Sequence, residues 1–182
     1  MQLVVTAEAI PRRGRGTTPE GGVGEVSVAD WAQVAAVLRS GEVSPFWLSV
    51  SRAEQPPHVR PIFAAWGGTS FFVVSKSSAA KTAHLRRHPN TSLSVALDDL
   101  HVVVEGRASR VTEPEGLAAA STAMKEVYGW PTRVVGDELD ADYGAPTSGG
   151  PPYQAYEVVP VTAYAFPIRD QVHPTRWRFE RR

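Results

Sequence analysis

The sequence predicts an α+β domain built on a small antiparallel β-barrel. Many short apolar runs show the alternation typical of strands, and helical patterns are inserted between them. Glycine and proline contribute 15 residues each to the 182, an excess that favours turns and short loops over long helices. This length predicts one domain, with a flexible N-terminal arm at residues 1–25 and a single folded unit at residues 26–182.

Composition excludes several classes of function. The chain has no cysteine, which rules out a thiol nucleophile, a cysteine-ligated metal and a disulfide framework, and is typical of a reducing compartment. Lysine plus arginine and aspartate plus glutamate both number 19, so no net positive charge attracts nucleic acid. Neither a basic signal-peptide start nor an apolar run of about 18 residues occurs. We therefore expect a cytoplasmic protein with no membrane and no nucleic-acid partner.

The first regular element should be a helix that begins near Ser27 and ends before Gly41. Residues 11–24 carry glycine, proline and charge with hardly any apolar side chain, so burial cannot offset their ordering entropy and they belong to the arm. Gly41 suits the left-handed position after a helix. The apolar residues that recur at helical spacing are Val28, Trp31, Val34, Ala35 and Leu38.

A meander of three antiparallel strands follows. The period changes to that of strands at Pro45, and the runs are separated by proline- or glycine-containing turns. The strands are expected at residues 46–50, 58–66 and 69–75, with a turn at 55–57.

A short helix and two more strands come next. The helix should cover residues 79–87, because Pro89 stops it. Strands at 91–97 and 100–111 are joined across Asp98-Asp99, a pair that is typical of a hairpin turn.

The last third of the chain predicts one longer helix, a loop and the closing strands. Residues 112–115 have the pattern of a capping box with proline in the first turn, and the helix that they open should end at Gly129. A Gly/Pro-rich loop is expected at about 131–152, and one or two closing strands at 153–166.

The stretch FFVVSKSSAAKTAHLRRHP has the pattern of an anion site. A buried strand ends at Ser75 and Lys76, two small hydroxyl residues follow, and Lys81 lies in the first turn of the next helix. Free N–H groups and the helix dipole favour an anion there, and a phosphate is the natural candidate. The alternative is a basic, solvated helix end without a ligand.

A metal site is not expected on the same helix. His84 and His88 are four residues apart, a spacing that could present two imidazoles to one ion. Arg86 and Arg87 lie beside them, and their guanidinium groups would repel a dication.

The succession HVRPIFAAW, FFVVSKSSAAKTAHLRRHPNTSLSVAL and HVVVEGRASRV resembles the split-barrel flavoproteins, the superfamily of pyridoxamine 5′-phosphate oxidase and its deazaflavin-dependent relatives. The resemblance covers about residues 43–166. Its most specific parts are the K-x-x-x-L-x-x-x-P pattern from Lys81 to Pro89 and the EGRA sequence at Glu105–Ala108.

This resemblance implies a six-stranded split β-barrel with short flanking helices, which forms a homodimer and binds a flavin at the subunit interface. The strand that begins at Arg60 would lie along the ring system and ribityl chain, Lys81 would hold the phosphate, and His101 matches a position where the oxidases place a glutamine. The cofactor-binding residues that it implies are Arg60, Pro61, Ile62, Phe63, Val74, Ser75, Lys76, Lys81, His101 and Trp177.

Each assignment has a structural alternative. Arg60 could be a surface charge, Ser75 a strand end, His101 a cross-strand partner and Trp177 a core residue. Two departures from the oxidases also matter. Ala80 stands where they have an arginine before the phosphate-binding lysine, so that Lys76 would have to replace it. The TRWRF sequence near the C-terminus does not resemble their basic, histidine-containing motif for pyridoxal phosphate.

The function that the resemblance implies is that of an oxidoreductase acting on a small, planar or apolar substrate. The cofactor is FMN or the deazaflavin coenzyme F-420, with a slight compositional lean toward the deazaflavin. The arm residues Arg12, Arg13 and Arg15 could meet the carboxylate tail of the deazaflavin. Tyr128 and Trp130 either line a substrate cleft or pack in the core. The alternatives are a non-catalytic protein that binds a flavin or another planar ligand, and a true pyridoxamine 5′-phosphate oxidase.

Overall fold

The computed structural model describes residues 3–11, 27–41, 45–144, 149–169 and 172–181. Within them the helices are α1 (Trp31–Arg39), α2 (Ala80–Arg87) and α3 (Pro114–Tyr128). The strands are β1 (Leu3–Ala9), β2 (Phe46–Arg52), β3 (Gln55–Ile62), β4 (Ala64–Trp66), β5 (Phe71–Ser75), β6 (Asn90–Ala96), β7 (Leu100–Val111), β8 (Arg133–Val135), β9 (Glu138–Asp140), β10 (Gln154–Pro167) and β11 (Thr175–Arg181). The predicted α+β class is confirmed.

Nine of these strands form one antiparallel sheet, in the order β1-β11-β10-β7-β6-β2-β3, with β5 paired to both β10 and β4. Hydrogen-bonded pairings link β3, β2, β6, β7, β10, β5 and β4 in that order. No pairing joins β3 to β4 in the described part of the chain; the two are connected only through Phe63, so the ring of strands is interrupted there. If β3 and β4 are taken as one bent strand, the ring has the six members that the sequence predicts, and β1 and β11 extend it.

Tyr128, at the end of α3, holds the chain where the ladder is interrupted. Its hydroxyl accepts a hydrogen bond from the backbone N–H of Ala64 at 3.2 Å and donates one to the carbonyl of Ala64 at 3.0 Å. Its ring packs 4.6 Å from that of Phe63. Burial raises the pKa of Tyr128 to about 12, so the hydroxyl keeps its proton at neutral pH. A helix side chain therefore satisfies backbone groups that a strand partner would otherwise bind.

An aromatic cluster forms part of the main hydrophobic core. Trp31 of α1 meets the rings of Trp66, Trp177 and Phe179 edge-on at 5.4, 5.2 and 4.8 Å. The indole N–H of Trp177 donates to the carbonyl of Ala29 at 3.0 Å, so even its polar atom is satisfied in the core. The side chain has no exposed surface.

Two glycines are required by backbone geometry. Gly129 ends α3 as predicted, with φ of 61° in the left-handed region. Gly106 of the EGRA sequence faces β10, where a Cβ atom would come within 2.5 Å of the carbonyl oxygen of Val159. The motif therefore allows β7 and β10 to approach at a bulge in their register.

The N-terminal prediction is wrong in part. Residues 3–9 of the proposed arm form β1, which pairs with β11 along its whole length. Glu8 adds side-chain bonds to this pairing, because its carboxylate accepts hydrogen bonds from Arg176 at 2.6 Å and Arg178 at 3.3 Å. Residues 12–26 lie outside the described residues. Helix α1 begins at Trp31 and not at Ser27, because Asp30 caps it by accepting from the Ala32 N–H at 3.0 Å.

Three local predictions also change. The turn before β3 lies at residues 53–54, where Glu54 has a φ of 50°, and 55–57 already belong to the strand. Strand β3 lies at one end of the sheet order and carries three prolines: Pro56, Pro57 and Pro61.

The predicted capping box does not form, since Glu113 occupies the cap position of α3 without a side-chain hydrogen bond. The 131–152 loop contains the β8–β9 hairpin.

None of the helices in the described ranges is long and apolar enough to cross a membrane.

We expect Tyr128→Phe to lower the free energy of unfolding by about 1–3 kcal/mol, because it leaves the N–H and C=O of Ala64 buried without partners. Urea unfolding monitored by circular dichroism measures the change. Tyr143→Phe is the control, since Tyr143 is 55% exposed and its hydroxyl makes one long bond of 3.4 Å. Equal unfolding midpoints for the two variants would show that the Tyr128 hydroxyl is not needed.

Candidate functional site

The N-terminus of α2 is left without a side-chain cap. Strand β5 ends at Ser75, and the Lys76 carbonyl then accepts from the Ala79 N–H at 3.1 Å and the Thr82 hydroxyl at 2.8 Å, which folds the turn into the helix. Ala79 occupies the cap position and offers no acceptor, and the first turn carries no acidic residue. The first N–H groups of α2 are therefore open to an anion.

Lys81 lies at this helix end, and Arg60 is near enough for its charge to act on Lys81. Lys81 lies half-buried in the first turn of α2, and burial, followed by the charge of Arg60, lowers its pKa. Arg60 is opposite Leu48 in the β2–β3 register, on the face of β3 whose other members include the buried Ile62. Among the described residues, no carboxylate lies within 4.0 Å of either cation. Two unpaired cations beside free helix N–H groups are the donors that a phosphate requires.

Three further basic groups surround this pair, and sequence reasoning did not assign them to the site. His58 precedes Arg60 by two residues on the same face of β3, and its ring lies 4.9 Å from that of His84 in α2. Burial lowers the pKa of His58, and the charges of Arg60, His84, Arg52 and Lys81 lower it further. The sequence did contain a signal for this arrangement: His58 and Arg60 are two residues apart on a predicted strand, a spacing that puts both side chains on one face. His84 thus packs against His58 of β3.

The remaining predicted residues of β3 and β5 lie around the site in different environments. The side chain of Ile62 is buried in the core, so only its backbone could meet a ligand, whereas Pro61 is exposed. Phe63 and Val74 are half-buried. Ser75 is 1% exposed, and its hydroxyl has no hydrogen-bond partner in the described part of the chain.

Lys76 does not join Lys81 and Arg60. Its ammonium nitrogen lies on the side of Gly149, 3.4 Å from where a Cβ atom of that glycine would stand. It is not among the groups that lower the pKa of Lys81. This arrangement therefore does not support the prediction that Lys76 replaces the arginine that the oxidases have immediately before the residue matching Lys81.

His101 and Trp177 lie apart from the site within one chain. His101 is exposed on β7, and β6 and β2 separate β7 from β3, which is about 14 Å at the usual strand spacing. Trp177 is enclosed in the aromatic core, so its assignment to the cofactor is wrong and the alternative of a packing residue is correct. Arg12, Arg13 and Arg15 lie outside the described residues.

A cavity of about 750 Å³ exists elsewhere, between α1 and the turn that joins β6 to β7. Its lining includes Asp30, Asp98, Asp99 and Arg169, and none of the residues predicted for the cofactor.

The sequence profile of a known family, described as pyridoxamine 5′-phosphate oxidase, matches residues 31–165. Similar solved structures include a conserved hypothetical protein from Mycobacterium tuberculosis, with a TM-score of 0.56, 18% identity and coverage of 82% of this chain and 91% of that one. No curated protein matches.

Two other solved structures are alike to a similar degree. A NimC/NimA family protein from Clostridium acetobutylicum has a TM-score of 0.55 at 13% identity and covers 82% of this chain and 91% of its own. A pyridoxamine 5′-phosphate oxidase-related, FMN-binding protein from Nostoc punctiforme has a TM-score of 0.54 at 16% identity, covering 85% and 97%. At these identities the likeness concerns the fold, and it confirms the predicted split-barrel class.

In the ligand-free protein, Lys81→Met should raise the free energy of unfolding by up to about 0.5 kcal/mol at low salt, after allowance for solvent screening. The folded state lowers the pKa of Lys81, so its charged form costs stability at neutral pH, and the cost disappears as the pH rises through the pKa of the unfolded chain. Thermal unfolding at two salt concentrations tests this, since added salt should shrink the gain.

Lys125→Met is the control for that measurement. Lys125 is exposed in the last turn of α3, where a cation is favourable, so its removal should give no gain. A gain of equal size in both variants would contradict a specific cost at Lys81.

Proposed function

The chain belongs to the pyridoxamine 5′-phosphate oxidase family, and from this premise we propose that it is an oxidoreductase that binds FMN or the deazaflavin coenzyme F-420 and acts on a small substrate. The observation that carries the proposal is the pair of unpaired cations, Arg60 and Lys81, at the uncapped N-terminus of α2. A phosphate monoester carries about two negative charges at neutral pH, which these two side chains would neutralise.

The residues present fit such a cofactor. The phosphate would lie between Lys81, Arg60 and the first N–H groups of α2, and the backbone beyond Arg60 would lie along the ring system. The unpartnered hydroxyl of Ser75 is a further polar group at the end of β5 that a ligand near α2 could engage. When bound, the flavin supplies the hydride or electron transfer. The protein would position the ring, limit the access of water and shape the face that the substrate meets.

We propose that the protein is a homodimer and that the cofactor lies at the subunit interface. The outer face of the sheet is unusually apolar, because Trp47, Val59 and Phe166 are 53%, 41% and 45% exposed. Trp47 is opposite Pro61 in the register, and Phe166 is opposite His101, so this face includes predicted cofactor residues. Since His101 is too distant from β3 in its own chain, His101 of the partner subunit would complete the site.

The phosphate site does not distinguish FMN from the deazaflavin coenzyme, because both cofactors carry a phosphate. The lean toward the deazaflavin depends on composition and on the arm arginines. A cytoplasmic location also stays a prediction, based on the absence of cysteine.

A true pyridoxamine 5′-phosphate oxidase is the weaker alternative. The closing strand would have to offer basic side chains to the substrate, and Arg176 and Arg178 are instead bound to Glu8. A non-catalytic carrier of a flavin is the stronger alternative, because the same cation pair would serve it.

Lys81→Ala should weaken the binding of FMN and of F-420 by about 10- to 100-fold, the loss expected when a charge-assisted hydrogen bond is removed. Fluorescence titration measures both affinities, and Lys125→Ala, which removes an exposed cation from α3, should leave them unchanged. Undiminished binding by Lys81→Ala would overturn the site. Anaerobic mixing of the wild-type complex, carrying reduced cofactor, with candidate acceptors then tests the activity: reoxidation supports an oxidoreductase, and its absence with every acceptor supports a carrier.

Trp47→Glu should weaken dimerisation at least tenfold, because it places a charge in the centre of the apolar face. Light scattering after size-exclusion chromatography measures the mass, and the cofactor affinity should fall together with it. Val135→Glu is the matched control, since Val135 is also exposed (57%) but lies on the β8–β9 hairpin. A monomeric wild-type protein would contradict the proposed dimer.

A further inference from the structure

The basic groups around α2 exceed what one phosphate needs. Arg60 and Lys81 suffice to neutralise a phosphate monoester. Arg52, His58 and His84 remain. The charge of Arg52 acts on the pKa of His58, and the ring of His84 contacts that of His58.

Their arrangement follows from the strand register. His58 is opposite Val50 and Arg60 is opposite Leu48, so both lie on the side of the β2–β3 pair that carries the buried residues of β2. Arg52 follows Val50 by two residues, beyond a shift in the β2–β3 register, and its Nε donates to the carbonyl of Pro56 at 2.8 Å, which holds it at the hairpin. The basic side chains thus form a row that extends from Arg60 toward the β2–β3 turn.

Helix α2 closes this row from the other side. The His84 ring lies 4.9 Å from that of His58 and tilted by 51° to it, and Lys81 is one helical turn before His84. The charged or titratable groups that act on His58 are Arg60 from its own strand, Arg52 from β2, and Lys81 and His84 from α2. No carboxylate is among them.

Burial lowers the pKa of the half-buried His58, and repulsion from the like charges around it lowers that pKa further. An anion placed between them would reverse the effect, because it would favour the protonated ring. The row is therefore suited to a second anionic group, bound together with a proton.

We propose that Arg52, His58 and His84 form a second anion subsite beside the Arg60–Lys81 phosphate position, and that it binds a further phosphate or carboxylate of the same ligand with uptake of a proton at His58. This inference rests on the proposed function, in which the first phosphate lies at Lys81. It assigns the ligand to a class: phosphate esters that carry another anionic group farther along the chain.

Inorganic phosphate, pyrophosphate and tripolyphosphate are the probes, titrated calorimetrically at pH 6.5 and 8.0 in buffers of different ionisation enthalpy. Of pyrophosphate and tripolyphosphate, the one that binds better should bind at least tenfold more tightly than phosphate at pH 6.5. This advantage should shrink at pH 8.0, because the proposed uptake of a proton at His58 costs more free energy at the higher pH. Binding of the longer anions should take up more protons than binding of phosphate.

Variants separate the two subsites. His58→Gln and Arg52→Gln should each abolish most of the advantage of the longer anions and leave the affinity for phosphate within about threefold. His88→Gln is the matched control on α2, and it should behave as the wild type does. Circular dichroism shows whether each variant is folded, and Arg52→Gln keeps the test usable if His58→Gln is not.

Each outcome decides one point. If phosphate binds and the longer anions gain nothing, or if their gain survives both variants, the second subsite is wrong while the proposed function stands. If no anion binds and flavins do not bind, the proposed function fails as well. The same variants, tested with FMN and with F-420 before and after removal of its tail, distinguish a phosphate from a carboxylate as the second group.

Discussion

The hydroxyl of Tyr128 satisfies the backbone at the point where the ring of strands is interrupted, and the path of the chain from β3 into β4 depends on this contact. Both backbone groups of the buried Ala64 bond to it, so β4 can turn into the core while β3 continues outside, next to α2. Without this contact two buried backbone groups would lose their partner. Helix α3 thus holds the start of β4 against the core, while pairing with β2 sets the position of Arg60 opposite Leu48.

The basic side chains of the site have no counterions among the described residues. Their mutual repulsion lowers the stability of the protein without a ligand. Ion pairs do occur where they hold the fold, for example Glu8 with Arg176 and Arg178, or Arg110 with Asp137. Around α2 the described cations have no such partners. The contrast separates basic side chains that stabilise the sheet from those that are available to a ligand, although the net charge of the chain is zero.

How much the sequence predicts depends on the range of the interaction. The end of α3 at Gly129 follows from one residue's conformational freedom, and the start of the β2 strand from local alternation. Strand β1 escapes notice because its partner β11 is about 170 residues away, with Glu8 bonding to Arg178 across that distance. The contact between His58 and His84 joins two elements that are separated by a whole hairpin, and the burial of Trp177 depends on α1, so periodicity alone reveals neither.

The three prolines of β3 affect the tendency of the protein to aggregate at high protein concentration. An edge strand normally offers its free N–H groups to any other extended chain, which is a route to aggregation. Pro56, Pro57 and Pro61 cannot donate, so three of the eight residues of this edge have no backbone N–H. The edge can still accept hydrogen bonds through its carbonyls and present side chains to a small molecule. The surface is thus protected against β-strand addition and stays accessible for ligand recognition.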